Sequence, residues 1–213
     1  MIIKMDKRTD IEKNAVVYIH GRGGKSEEAK HYVTLFPESD VKGFDYMAQT
    51  PWEAEEEFSY FFNQICKEYG SVILVANSIG AWLAMSSGIG CKIRKAFFIS
   101  PIVDMELVIT GMMMRAGTTE DELRSRETVR TDSGDILSWK YLCYVRDHPI
   151  RWCVPTEILY GRFDCLTSFD TISSFARSVG AGLTVMENGE HWFHTEEQMR
   201  FLDEWIRQKR FKT

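Results

Sequence analysis

The sequence predicts an α/β protein of three layers, with helices covering both faces of a mostly parallel sheet of about six to seven strands. Three observations carry that prediction. Short apolar runs alternate with longer segments whose apolar residues recur at helical spacing. The runs are apolar along most of their length, as expected of strands buried on both faces. Polar residues fit for chemistry sit just beyond the ends of several of them.

The elements follow in order. The first fifteen residues read as a short strand or hairpin. Residues 16–19 (Val16-Val17-Tyr18-Ile19) form an apolar strand ending in His20-Gly21-Arg22-Gly23-Gly24. Glycines at that turn let the backbone approach a ligand and point amides at it. Ser26 caps a helix to about Phe36, and 41–46 is a weaker strand. Thr50-Pro51-Trp52-Glu53 is a capping-box start. Its helix carries Trp52, Phe58, Phe61, Phe62 and Ile65 towards the sheet and ends near Gly70. The run 72–75 leads through Ala76-Asn77-Ser78-Ile79-Gly80 into a small-residue helix, and 95–100 is a further strand. Residues 157–161 and 183–187 are strands followed by Arg162-Phe163-Asp164 and by Asn188-Gly189-Glu190-His191. Thr195-Glu196-Glu197-Gln198 caps the last helix.

Bulk properties narrow the function classes. At 213 residues the chain is read as one domain spanning 1–213. A net charge of −5 with no basic run makes nucleic acid an unexpected partner. The N-terminus lacks the apolar core of a signal peptide, and no segment is suited to span a membrane. Five scattered cysteines without paired spacing read as free thiols, so a cytoplasmic location is expected.

The serine at 78 stands at the apex of a strand, a sharp turn and a helix, with small residues two before and two after it. An ordinary helix cap is the simpler use of such a serine. Its partners decide otherwise: an acid and then a histidine, each just past a later strand. With the glycine turn after 16–19, these motifs in this order resemble the α/β-hydrolases over nearly the whole chain. Alanine at 76 departs from the usual glycine.

The resemblance implies a serine hydrolase that cleaves a small-molecule carboxylic ester, or a thioester, through an acyl-enzyme and needs no cofactor or metal. Ser78 is then the nucleophile, His191 the base and Asp164 the acid that orients it. The backbone amides of Ile79 and Arg22 form the oxyanion hole. Asp104, after Ser100-Pro101, is the alternative acid, and His194 the alternative histidine. Cleavage of an amide, peptide or carbon–carbon bond by the same residues, or a non-catalytic ligand-binding role, are the competing readings. The stretch 102–152, Met-rich and then aromatic, breaks the strand–helix rhythm and is expected to be a helical cap. Most of its apolar side chains dock it on the sheet; Met112, Met113 and Trp139 are expected to line the substrate pocket.

Overall fold

In a computed structural model of the protein, residues 13–211 are described. The apolar runs become six parallel strands: β1 (Asn14–Ile19), β2 (Ser39–Phe44), β3 (Ser71–Asn77), β4 (Lys95–Ile99), β7 (Thr156–Gly161) and β8 (Gly182–Met186). Their order across the sheet is β2-β1-β3-β4-β7-β8, with every neighbouring pair parallel. The hairpin expected in the first fifteen residues lies largely outside the described residues.

Alternation along each strand divides the core into two faces. Val17, Ile19, Leu74, Ala76, Phe98 and Ile158 point one way. They pack with α1 (Pro51–Glu68), α2 (Ile79–Ser86) and α6 (Phe169–Val179). Val16, Tyr18, Ile73, Val75, Phe97 and Leu159 point the other way, where they meet a 3-10 helix (Ser26–Thr34) and α7 (Glu196–Lys209). At about 25 cal/mol per Å² of apolar surface, burial on both faces makes this sheet the main store of stability.

Local signals explain most boundaries. Thr50 accepts from the Glu53 amide while the Glu53 carboxylate accepts from the Thr50 amide, closing the expected capping box of α1. Phe58, Phe62 and Ile65 are buried by that helix, whereas Trp52 turns aside to meet Tyr141 and Tyr144. The segment after Ser26 is helical, but wound as a 3-10 helix and preceded by Lys25, whose amide donates to the Glu28 carboxylate at 2.9 Å. Gly43 of β2 lies so close to the Ser26 backbone that a Cβ there would collide with it.

Between β4 and β7 the chain adds α3 (Met105–Arg115), α4 (Glu120–Arg126), an antiparallel hairpin of β5 (Thr128–Arg130) and β6 (Ile136–Ser138), and α5 (Trp139–Asp147). Arg146 clamps this insertion together, donating to Glu106 at 2.6 Å and to both oxygens of Glu120. Tyr141 of α5 meets Trp52 and Trp82, so α5 rests on α1 and α2. Among the described residues, no helix is long and apolar enough to cross a membrane.

β1 hands the chain to β2 on one side and is flanked by β3 on the other. In open parallel sheets ligands bind outside the carboxyl ends of the strands at such a reversal. The turn after β1 and Ser78 after β3 both lie there.

Candidate active site

Ser78 connects β3 directly to α2 with no loop, and its backbone takes φ 51°, ψ −122°. A non-glycine residue held there costs about 1–3 kcal/mol, so the surroundings must enforce it. They do so through three hydrogen bonds: the Ser78 amide donates to the Ile99 carbonyl at 3.0 Å, and the Ser78 carbonyl accepts from Ala81 and Ile102. The turn also demands small neighbours. A Cβ on Gly80 would strike the His20 carbonyl and the Ile19 side chain, because α2 begins against the end of β1. Ala76 is fully buried opposite Ile19 and Phe98. Its methyl therefore fits where glycine was expected.

The Ser78 hydroxyl lies 2.8 Å from His191 Nε2, and His191 Nδ1 lies 2.7 Å from Asp164 Oδ2. The Asp164 side chain is completely buried, and its other oxygen accepts from the Leu166 and Thr167 amides at 2.8 and 3.0 Å. Those two amides fix the direction in which the carboxylate points. A carboxylate can only accept, so His191 Nδ1 carries the proton and the Nε2 lone pair faces the serine hydroxyl. Residues 78, 164 and 191, far apart in sequence, are thereby brought into one hydrogen-bonded line.

Asp164 and His191 arrive on loops that are themselves bonded together. The Phe163 amide donates to the Gly189 carbonyl at 2.8 Å and the Arg162 amide to Met186 at 3.0 Å. Gly161 and Gly189 touch backbone to backbone, so a Cβ on either has no room. Arg162 also forks onto both oxygens of Glu187. Asp104, the alternative acid, is instead the cap of α3, accepting from the Leu107 amide at 3.0 Å. His194 turns Nδ1 to the Trp192 carbonyl and stacks on the Trp192 ring at 4.3 Å.

The turn after β1 closes with a bond from the Gly24 amide to the Gly21 carbonyl, and Gly23 takes the left-handed conformation that favours glycine. Gly21 abuts Ser78. His20 is buried, stacks on Tyr46 at 4.4 Å and points Nδ1 at the Gly21 carbonyl, which stiffens the turn. Arg22 stands at the middle of that turn, and Ile79 is the first residue of α2, whose leading amides have no partner within the helix. The Arg22 side chain is exposed and forms an ion pair with Asp135 at the tip of the β5–β6 hairpin. This hydrogen-bonded guanidinium holds the Asp135 carboxyl below its ordinary value.

A cavity of about 780 Å³ opens at Ser78 and His191. It runs down the α7 side of the sheet, bounded by residues 21–32 and 191–202, with Leu166 at its edge. Met112, Met113 and Trp139 do not line it. Met113 is buried in the core of the opposite face, and Met112 and Trp139 pack against that same cluster. The apolar surface of α1 and α2 draws the inserted helices down onto itself. Expected to line a substrate pocket, these three side chains lie outside this cavity and pack the insertion onto the core.

One connection was not foreseen from the sequence. The Asn77 side-chain amide donates to the Tyr18 hydroxyl at 2.9 Å, and that hydroxyl donates to Glu28. Burial, above all, raises the Tyr18 pKa far enough to keep the phenol protonated as a donor. The chain of bonds ties the residue before Ser78 to the segment that follows the glycine turn. A tyrosine in an otherwise aliphatic strand was the available signal.

No protein-family model matches the chain, and no curated protein matches it in sequence. Solved structures do match. A protein of Agrobacterium vitis S4 superposes with a TM-score of 0.73 at 17% identity, over 93% of this chain and 88% of that one. Est1E from Butyrivibrio proteoclasticus gives 0.70 at 16% identity over 95% and 88%. Mouse alpha/beta hydrolase domain-containing protein 10 gives 0.70 at 15% identity over 91% and 88%. The protein has the α/β-hydrolase fold.

Proposed function

We propose that the protein is a serine hydrolase acting on carboxylic esters. The observation that carries this reading is the line from Ser78 through His191 to Asp164, at 2.8 and 2.7 Å, with its serine held in a strained turn. A serine hydroxyl is a weak nucleophile until a base stands within hydrogen-bond reach.

In this reading Ser78 Oγ attacks the ester carbonyl carbon while its proton passes to His191 Nε2. The Asp164 carboxylate steadies the imidazolium that forms. The carbonyl oxygen becomes an oxyanion received by the amides of Ile79 and Arg22. Collapse breaks the carbon–oxygen bond, and the departing alkoxide takes the proton from His191. Water then gives a proton to His191 and attacks the acyl-serine. The carboxylic acid leaves and the proton returns to Ser78.

Reaction with a fluorophosphonate probe tests the proposal. The wild-type protein is expected to become labelled on Ser78, and Ser78→Ala to remain unlabelled. A folded wild-type protein that stays unlabelled would favour a non-catalytic binding role. Turnover of nitrophenyl esters against acyl-CoA thioesters and aminoacyl amides then separates ester cleavage from its relatives.

A further inference from the structure

We propose that the cavity on the α7 side, and not the insertion, receives the larger arm of the substrate, and that this arm is hydrophobic and carries no negative charge. The inference rests on the hydrolase reading above. A volume of about 780 Å³ falls within the roughly 300–1,000 Å³ of small-molecule sites. The cavity begins at Ser78 and His191, so an ester placed for attack has one arm directed into it. Its apolar walls include Tyr32, Leu166, Trp192, Met199 and Leu202. Trp192 is 70% exposed, yet its ring is held flat against His194 at the mouth. An exposed indole presented in this way offers a large apolar contact to an incoming group.

The charges in the cavity set the second half of the proposal. Arg22 is committed to Asp135, His31 lies 2.7 Å from Asp203, and His194 lies 3.8 Å from Glu190. Glu28 forms no ion pair among the described residues; it accepts from the Tyr18 hydroxyl and the Lys25 amide, both neutral donors. The uncompensated charge facing the cavity is therefore negative, which repels an anionic arm by roughly tenfold in binding at separations of a few ångströms beyond contact.

The test compares kcat/KM for nitrophenyl octanoate and nitrophenyl acetate, with a mirrored pair of octyl and ethyl acetates for the alcohol arm. Met199→Trp fills the cavity and is expected to lower the long-to-short ratio at least tenfold in one of the two series. Trp192→Ala, at an exposed position that tolerates truncation, is expected to lower it at least threefold through KM. Replacing nitrophenyl butyrate by the terminally carboxylated nitrophenyl succinate is expected to cost the wild type about tenfold, and Glu28→Gln to recover most of that loss. Unchanged ratios in both cavity variants, or a ratio that falls instead with Trp139→Ala in the insertion, overturn the placement of the arm. A succinate penalty that persists in Glu28→Gln overturns the charge assignment. If wild-type protein neither hydrolyses the acetate nor takes the fluorophosphonate, the hydrolase reading itself has failed and takes this one with it.

Discussion

Replacing Ser78 by glycine is expected to make the protein more stable than replacing it by alanine. Both substitutions remove the same hydroxyl and its bond to His191, so that loss cancels in the comparison. What remains is the backbone at φ 51°, ψ −122°. A side chain in such a conformation costs about 1–3 kcal/mol, which glycine avoids. Glycine loses about 0.5–1 kcal/mol more chain entropy on folding. The balance favours Ser78→Gly by about 0.5–2 kcal/mol, and a domain of this size gains about 2–4 °C of Tm per kcal/mol. A difference near 3 °C is expected from thermal unfolding of the two variants followed by circular dichroism. If Ser78→Ala melts at the same temperature or higher, the turn is not strained and its surroundings do not enforce the position of residue 78.

Other perturbations probe the rest of the site. Asp164→Asn presents His191 with a donor in place of an acceptor, and the rate of fluorophosphonate labelling is expected to fall about 10³–10⁴-fold. Asp104→Ala removes only the α3 cap, so labelling is expected to hold while about 1 kcal/mol of stability is lost in urea. Tyr18→Phe strands the Asn77 amide and is expected to cost about 1–3 kcal/mol in the same measurement. Asp135 has its carboxyl pKa lowered by the Arg22 hydrogen bond. Its stabilising contribution is therefore present above the unfolded carboxylate pKa and lost as pH falls through the lower folded one. Because Arg22 is largely exposed, the advantage of wild type over Asp135→Asn is expected to be below about 1 kcal/mol at neutral pH. It should vanish in urea titrations well below about pH 4.

Much of this architecture was legible in the sequence because its signals are local. The capping boxes at Thr50 and Thr195, the apolar runs and the small residues around Ser78 act within a few positions of the chain. The choice between Asp164 and Asp104 was harder, since both follow strands and both can cap; only the sheet order sets Asp164 against His191. The packing of Met112, Met113 and Trp139 was hard to read for a related reason. Apolar residues on an inserted helix look alike whether they face a pocket or the neighbouring helices, and Met113 is buried by the latter. The winding of 26–34 as a 3-10 helix leaves no mark in its periodicity. Its placement against Gly43 is a long-range contact.

The seam between Gly161 and Gly189 has a consequence for anyone rebuilding this protein. With two glycines in contact and amide bonds crossing between the segments, the carboxylate and the imidazole travel as a single rigid part, made separately from the serine. Transplanting either segment alone into another scaffold would deliver its residue at the wrong height above the sheet. Moved as a pair, they carry their own spacing with them.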